Sequence, residues 1–171
     1  MTKKVKYSSA TIAWTLLLIA AYAATAIYFV KREDTIVWVG LIVVISVWNI
    51  FALLYAPLSV SVDANTLNIY TVLRRKRIRI ADIASAELCT PTMAEKKILS
   101  SGGYFGYWGW FSERDLGKYF AYYGKSSDCF LVRLRNGRQY MLGCDEPGAV
   151  VDCIKAQIAV KSACRGAEAG A

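Results

Sequence analysis

Histidine is absent from this chain of 171 residues. It is the side chain most often used for proton transfer near neutral pH, and it is also the commonest metal ligand. Its absence excludes any catalytic dyad or triad that contains a histidine. The chain also lacks a Cys-x-x-Cys pair, which excludes the zinc sites that are built on closely spaced cysteines.

A disulfide framework is lacking as well. The five cysteines are Cys89, Cys129, Cys144, Cys153 and Cys164. An odd number without regular spacing favours reduced thiols that face a cytoplasm. Such thiols also serve as small buried apolar side chains in strands.

The acidic residues form no catalytic grouping. Glu87, Glu113 and Asp115 are carboxylates of the type that performs acid–base catalysis, but Glu113-Arg114-Asp115 is typical of a solvated charged turn. We therefore predict that the protein is not an enzyme. We expect no catalytic residues, no cofactor and no metal ligands, and we identify no small-molecule substrate.

The chain is rich in apolar residues and in basic blocks. Apolar residues make up 56% of the sequence, and the mean hydropathy is +0.32, which is high for a soluble domain and indicates membrane residence. The formal net charge of +8 is concentrated in Lys3, Lys4 and Lys6 and again in residues 74–79. Such blocks attract anionic lipid or nucleic acid, or fix membrane topology.

Two uncharged stretches run from Thr11 to Val30 and from Ile36 to Tyr55. Each is close to the roughly 20 residues that cross a bilayer core as a helix. Residues 31–35 are the only connection, so the two helices form an antiparallel hairpin. By the positive-inside rule, the lysines before the first helix and the arginines after the second place both termini in the cytoplasm. We expect a multi-pass protein of the cytoplasmic membrane.

Two features of these helices have alternative interpretations. Ala24-Thr25-Ala26 resembles the cleavage site of a signal peptide, in which case the second helix is a stop-transfer segment and the C-terminal domain stays cytoplasmic. Asn49, the one strongly polar residue of the second helix, is either a pore or relay group or a partner in a helix-to-helix hydrogen bond. We favour an uncleaved pair of helices that serves as an anchor.

After Pro57 the apolar pattern changes to the alternation that is typical of a half-buried sheet. The alternating runs are 58–62, 67–73, 75–80, 81–89, 117–124, 128–135 and 138–144. Asn136-Gly137 between the last two runs is a strong hairpin signal. Apolar residues at helical spacing after Asp145 predict a final amphipathic helix. The fold class is therefore α+β, with about seven antiparallel strands that form a barrel or sandwich and one C-terminal helix.

These patterns divide the chain into five segments. They are a cytoplasmic N-terminus at 1–10, transmembrane helices at 11–30 and 36–57, a β domain at 58–162 and a disordered tail at 163–171.

A string rich in glycine and aromatic residues, SGGYFGYWGWFSERDLGKYFAYYG, occupies residues 101–124. Together with the strand, the Asn-Gly turn and the Cys-Asp-Glu-Pro helix start that follow, it resembles the bacterial pleckstrin-homology (PH)-like family that sits behind two N-terminal transmembrane helices. The resemblance covers roughly residues 58 to 160. It implies a PH-like domain without established enzymatic activity, used for binding or assembly. Phosphoinositide-binding relatives carry Lys and Arg in the first hairpin loop, whereas residues 63–66 here are Asp-Ala-Asn-Thr, so that site is not carried over.

The basic turn Arg74-Arg75-Lys76-Arg77 provides the first set of candidate site residues. If the strand after Pro57 runs away from the bilayer for about six residues at roughly 3.3 Å each, the next strand must return and bring this turn to the membrane surface. A basic cluster near an anionic leaflet is attracted to it. The turn is therefore either an anionic-lipid contact or a solvated edge hairpin protected by its charges. We expect no nucleic-acid role, because the chain is already held at a membrane.

The stretch GGYFGYWGWF at 102–111 provides the second set, which we read as a greasy loop. The candidate residues for an interface or a partner are Tyr104, Phe105, Tyr107, Trp108 and Trp110. The loop either closes the open end of the barrel as core, which we favour, or inserts into an interface; it lacks the flanking residues of a phosphate or dinucleotide loop.

The leading functional interpretation is a membrane-anchored binding or scaffolding module that recognises a protein partner, a second copy of itself or the anionic membrane surface. One alternative is an accessory subunit of a transporter or channel complex, in which the same helices serve as packing surfaces. A membrane-bound enzyme is a weaker alternative.

Overall fold

The computed structural model describes residues 1–30, 35–91 and 96–168. The helices are α1 (Ser9–Val30), α2 (Thr35–Tyr55) and α3 (Pro147–Glu168). The strands are β1 (Thr2–Lys4), β2 (Pro57–Val62), β3 (Thr66–Thr71), β4 (Arg75–Arg79), β5 (Ile83–Leu88), β6 (Lys96–Gly103), β7 (Gly106–Glu113), β8 (Gly117–Tyr123), β9 (Cys129–Leu134) and β10 (Gln139–Gly143).

The two apolar helices at the N-terminus are confirmed. Within them, Ser9–Tyr28 and Trp38–Tyr55 are long and apolar enough to span a membrane, and most of their side chains point outward. An α-helix pairs its interior backbone N–H and C=O groups with one another, which is the arrangement that lipid requires. The predicted connection between the helices is residues 31–35; Thr35 begins α2, and residues 31–34 lie outside the described residues.

The strands form two sheets that do not close into a barrel, so of the two predicted forms, a barrel or a sandwich, the barrel is wrong. The first sheet has the order β1-β2-β3-β4, and the second has the order β5-β9-β10-β8-β7-β6. Neighbours are antiparallel except for β8 and β10, which are parallel. A short 3-10 turn at Ile80–Asp82 separates β4 from β5, and β5 then joins the second sheet. The hydrogen-bonded ladder therefore does not continue across this corner.

The count of about seven strands is also corrected, because the described residues contain ten. All seven predicted alternating runs are strands, namely β2 to β5 and β8 to β10. The three missed strands are β1, β6 and β7. β1 is only three residues long, and β6 and β7 meet at a glycine-rich stretch, which weakens the strand signal in a sequence.

The main core lies where the two sheets face each other beneath α3. Its buried side chains come from both sheets and from the helix, and they include Val60, Ile69, Phe130, Leu142 and Ile154. A second buried cluster, which includes Phe111, Tyr119 and Met141, lies on the other face of the second sheet. α3 covers the main core with one apolar face, as the helical spacing predicts.

The helix α3 begins at Pro147, the position where a fixed φ is already helical. Asp145 lies two residues before this helix, and its backbone N–H donates to the carbonyl of Lys4 at 2.8 Å. The helix continues to Glu168, so its last turns fall within the segment predicted as a tail.

The residues before α1 are part of the β domain. β1 pairs antiparallel with β2, so that Lys3 lies opposite Val60. Further along, the N–H of Val5 donates to the carbonyl of Leu58 at 2.8 Å, and the N–H of Ser8 donates to the carbonyl of Gly124 at 3.3 Å. We call residues 1–8 the N-terminal segment. It places the start of α1 and the end of α2 at the same side of the molecule.

Candidate functional site

The stretch GGYFGYWGWF is a β-hairpin, and its prediction as a loop is wrong. β6 and β7 pair antiparallel from Lys96 opposite Ser112 to Gly103 opposite Gly106, with one shift of register between Lys97 and Leu99. Only Tyr104 and Phe105 lie between the strands, as the tip of the turn. Gly103 and Gly106 both have positive φ, which an L side chain rarely adopts, so glycine is needed on each side of this tip. We call residues 101–111 the aromatic hairpin.

The tip of the aromatic hairpin is hydrogen-bonded to both apolar helices. The hydroxyl of Tyr104 donates to Oδ1 of Asn49 on α2. The backbone N–H of Phe105 donates to Oγ1 of Thr15 on α1, at 3.2 Å. Asn49 also donates from Nδ2 to the carbonyl of Ile45 at 2.8 Å. The polar group of Asn49 thus has its partner in the β domain, and among the described residues it makes no hydrogen bond to α1.

Trp108, in β7, packs against α2 beside this contact. Its indole is buried against Ala52 and stacks on the ring of Tyr55, with 5.6 Å between the ring centroids. Its Nε1–H donates to the carbonyl of Tyr104 at 3.1 Å, and the hydroxyl of Ser101 donates to the same carbonyl at 3.0 Å. The carbonyl at the tip is therefore satisfied in a place where water is scarce.

The other three aromatic candidates are less buried than Tyr104 and Trp108. Phe105 is half-buried and packs edge-on against Tyr104. Tyr107 is half-buried and stacks on Tyr123 at 4.8 Å. Trp110 is 41% exposed, and its ring meets Phe120 edge-on at 5.2 Å. Of the five candidates, Tyr104 and Trp108 are buried in the contact with the helices, and Trp110 is the exposed one.

The basic turn lies at the end of the β domain that adjoins α2. Thr71, the last residue of β3, is opposite Pro57, and Pro57 is two residues beyond the end of α2. The turn is closed by Thr71, whose Oγ1 donates to the carbonyl of Arg74 at 2.7 Å and accepts from its N–H at 3.1 Å. This is the position that the up-and-down path of β2 and β3 predicts. Its distance from a membrane surface stays a prediction.

The four cations are not equivalent, because Arg74 lies in the turn itself and the other three lie in β4. Arg74, Arg75 and Arg77 are exposed. Lys76 is half-buried, and its Nζ lies 4.4 Å from the ring centroid of Tyr140. None of the four forms an ion pair with a carboxylate in the described part of the chain.

The lysines of the N-terminal segment are paired across the domain. Lys3 Nζ lies 2.5 Å from Glu146, and Lys6 Nζ lies 2.8 Å from Asp145. The hydrogen bond from Lys6 lowers the pKa of the Asp145 carboxyl. The bonds to their acidic partners raise the pKa of each lysine. These charges link the N-terminal segment to the start of α3.

Burial makes several titratable groups poor reagents at neutral pH. Desolvation raises the pKa of the Cys144 thiol to about 12 and that of the Tyr7 hydroxyl to about 12. A thiol with such a pKa stays protonated and is a weak nucleophile. Within residues 1–30, 35–91 and 96–168, no group of three or more cysteine, aspartate or glutamate side chains is arranged to hold a metal ion.

Three contributors to this site are not among the candidate site residues that the sequence indicates. Thr15 and Asn49 receive the hairpin tip, and the N-terminal segment completes the first sheet. Asn49 carried a visible signal, because it is an isolated amide in an apolar helix. Thr15 carried none, since a threonine in a helix commonly bonds to its own backbone, as its Oγ1 also does here to the carbonyl of Thr11 at 2.8 Å.

Comparison with known proteins identifies the family of the β domain. A family model described as bacterial PH domain matches residues 58–158, which is more than half of the chain. The match begins at the second residue of β2 and ends within α3, so it includes neither the N-terminal segment nor the two apolar helices. The chain matches no curated protein and no solved structure.

Proposed function

The chain belongs to the bacterial PH domain family, and from this premise we propose that it is a non-catalytic binding and scaffolding module anchored in a membrane by α1 and α2. PH-like domains generally bind rather than catalyse. The module sits in the bacterial inner membrane with both termini and the β domain in the cytoplasm. Its β domain recognises a protein partner or the anionic membrane surface.

The observation that carries this proposal is the docking of the aromatic hairpin on both helices. Tyr104 bonds to α2 and Phe105 bonds to α1, while only Ala56 separates the end of α2 from the start of β2. Ala56 is itself buried, and its N–H donates to the carbonyl of Ala52 at 2.8 Å. The domain is thus fixed against its anchor at two separate places. A fixed orientation suits a scaffold, because the same face is always presented at the membrane surface.

Trp110 is the strongest candidate for contact with a protein partner. It lies on the aromatic hairpin beyond the part that packs on α2, and it is exposed beside Phe120. Tryptophan is enriched among the residues that dominate binding energy at protein interfaces. Its rigid ring also costs little conformational entropy on binding.

Photocrosslinking in native membranes tests this proposal. A photoreactive amino acid replaces Trp110 in the full chain, and the matched control places it at Val160, an exposed apolar residue on α3. We expect a protein adduct from position 110 that is weak or absent from position 160, with the partner identified by mass spectrometry. Equal labelling at both positions, or no protein adduct at either, would contradict the proposed partner surface.

The accessory-subunit alternative predicts a different result when the protein is purified from the same membranes. Purification in mild detergent would then yield a stoichiometric second membrane protein, bound through α1 and α2. Recovery of this chain alone, as a monomer or a homo-oligomer, weakens that alternative and leaves the scaffold proposal in place.

A further inference from the structure

The register of the first sheet sorts the cations of β4 by face. Arg75 lies opposite Tyr70, and Arg77 lies opposite Asn68. Lys76 lies opposite Ile69, which is fully buried in the main core. Because successive side chains in a strand point to opposite faces, Arg75 and Arg77 share the outer face of the sheet, and Lys76 points to the inner one.

A chain of hydrogen bonds crosses the outer face and ends at Arg75. The hydroxyl of Thr2 donates to that of Ser61 at 3.0 Å, and the hydroxyl of Ser61 donates to Asp63 at 3.4 Å. The amide of Asn68 donates to the other oxygen of Asp63 at 2.6 Å. The Nε–H of Arg75 then donates to Oδ1 of Asn68 at 3.2 Å. Asn68 is fully buried, so the hydrogen bonds of this network are shielded from water and hold Asn68 in one position.

The guanidinium of Arg75 is held in place with its outer edge open. Its Cζ lies 4.9 Å from the ring centroid of Tyr70, while Asn68 holds Nε. Its two terminal nitrogens make no hydrogen bond within the described part of the chain. An immobilised guanidinium with free terminal N–H groups suits the paired oxygens of a phosphate.

The turn that precedes Arg75 is apolar and exposed. Val72 is 41% exposed and Leu73 is 59% exposed. Both follow Thr71 directly. Thr71 lies opposite Pro57, so the two apolar residues are close to the end of α2. Apolar residues beside cations are the combination that settles at the boundary between acyl chains and headgroups.

The pairing of charges along β4 changes with distance from α2. Arg75, near the turn, has no acidic partner in the described residues. Arg79, at the far end of the strand, is bound by Asp82 at 2.9 Å. Cations are therefore left open at the end where headgroups lie if α1 and α2 span the bilayer.

From these observations we propose that residues 72–77 form a docking surface for anionic phospholipid, in which Leu73 enters the interface and Arg75 binds a headgroup phosphate, with Arg77 adding charge. This inference rests on the proposed membrane anchorage. Asn68 and Tyr70 are positioning residues, since they hold Arg75 and do not meet the lipid. Lys76 takes no part, because it lies over Tyr140 on the inner face.

The test uses the full chain in lipid nanodiscs of defined composition. An environment-sensitive fluorescent amino acid replaces Leu73, and nanodiscs contain either phosphatidylcholine alone or a mixture with phosphatidylglycerol. We expect a blue-shifted emission that grows with the fraction of phosphatidylglycerol. The Arg75→Gln variant should weaken this lipid dependence roughly fivefold, which corresponds to the loss of one cation near an anionic leaflet.

Matched controls isolate the role of Arg75. Arg79→Gln removes a cation from the same face of the same strand and should leave the lipid dependence unchanged, because Arg79 is already paired with Asp82. Equal effects of Arg75→Gln and Arg79→Gln would overturn the assignment of a specific arginine. An emission that does not depend on phosphatidylglycerol would overturn the docking surface as a whole.

Two further arms separate related outcomes. Inorganic phosphate, compared with chloride at equal ionic strength, should not abolish the shift; if it does, the site takes a soluble phosphate and the lipid proposal is wrong. Loss of the protein from the nanodisc fraction in every lipid would instead contradict the membrane anchorage. A protein that is incorporated but has a lipid-independent emission contradicts this inference alone.

Discussion

At the scale of single residues, the contact between Tyr104 and Asn49 helps to fix how the β domain meets the two apolar helices. Asn49 is visible in the sequence as a lone amide, and a hydrogen bond between the two helices is one of its two interpretations. The structure pairs it with a side chain 55 positions further along. A polar group in an apolar helix must find some partner, but the sequence does not say which one, because the choice depends on the tertiary arrangement.

We predict that Tyr104→Phe lowers the free energy of unfolding by about 1–3 kcal/mol, because Oδ1 of Asn49 would be left without a donor in an apolar setting. Tyr107→Phe is the matched control, since it removes a hydroxyl from the same hairpin at a residue that packs by ring stacking. Denaturation in detergent micelles, followed by tryptophan fluorescence, measures both. Similar stability of the two variants would show that the bond to Asn49 contributes little.

The five aromatic candidates show what residue patterns can and cannot predict. Their number and size indicate either a buried role or a binding role. Trp108 and Trp110 lie two residues apart on the same face of β7, yet only Trp108 is buried. The difference arises because α2 covers the strand at Trp108 and not at Trp110. This contact joins residues that are far apart in the chain, so it cannot be predicted from the sequence around the two tryptophans.

At the scale of elements, the N-terminal segment gains its structure from a partner beyond both apolar helices. β1 has too few residues to show an alternating pattern, and an isolated strand of this length is not stable. Its lysine pairs are largely exposed and contribute little each. The backbone bonds to β2, to Gly124 and to Asp145 therefore specify its position.

We predict that Gly124→Ala destabilises the protein by about 1–3 kcal/mol, the usual cost of forcing extra volume into a packed site. A Cβ at this position would lie 2.4 Å from the carbonyl oxygen of Lys6, so the N-terminal segment has to move. Gly148→Ala is the control, since nothing lies within 4 Å of its Cβ and alanine favours the helix.

Thermal unfolding and hydrogen exchange of the N-terminal segment together measure the effect of Gly124→Ala. Faster exchange at residues 2–8 in this variant, with none in Gly148→Ala, is the expected result. If Gly124→Ala leaves both stability and exchange unchanged, the N-terminal segment does not pass over Gly124 in solution.

The strands β6 and β7 mark the limit of pattern reading for elements. The seven runs that alternate were all predicted, because one buried face and one open face leave a period of two in the sequence. In β7 this period is hidden, since both faces carry aromatic rings and Gly109 interrupts it. One face packs into the second cluster through Phe111, and the other meets α2 through Trp108.

At the scale of the whole molecule, the order of segments was predictable and the closure of the sheets was not. Two apolar helices, a β domain and a C-terminal helix follow from hydropathy and period, and the family resemblance is confirmed over residues 58–158. Which strands pair is a non-local property. The parallel contact of β8 with β10 and the break at Ile80–Asp82 therefore appeared only in the structure.

The pairing of β1 with β2 constrains the topology of the whole chain. The two strands flank α1 and α2, so the N-terminal segment and the β domain must lie on the same side of any membrane that both helices cross. From the positive-inside rule, we expect that side to be the cytoplasm, because it carries the lysines of the N-terminal segment and the basic turn. Cleavage after Ala26 would remove β1 and leave β2, still paired with β3, as an uncovered edge strand, so we expect the first helix to be retained.

We predict that green fluorescent protein fused after Ala171 is fluorescent in bacteria, because it folds in the cytoplasm, and that alkaline phosphatase inserted after Thr35 is active, because that connection faces the periplasm. The two reporters exchanged between these positions are the controls and should both be silent. The fusion protein should migrate at its full mass, since no signal peptide is removed. An active phosphatase at Ala171 would reverse the orientation, and with it the proposal that the basic turn faces the inner leaflet.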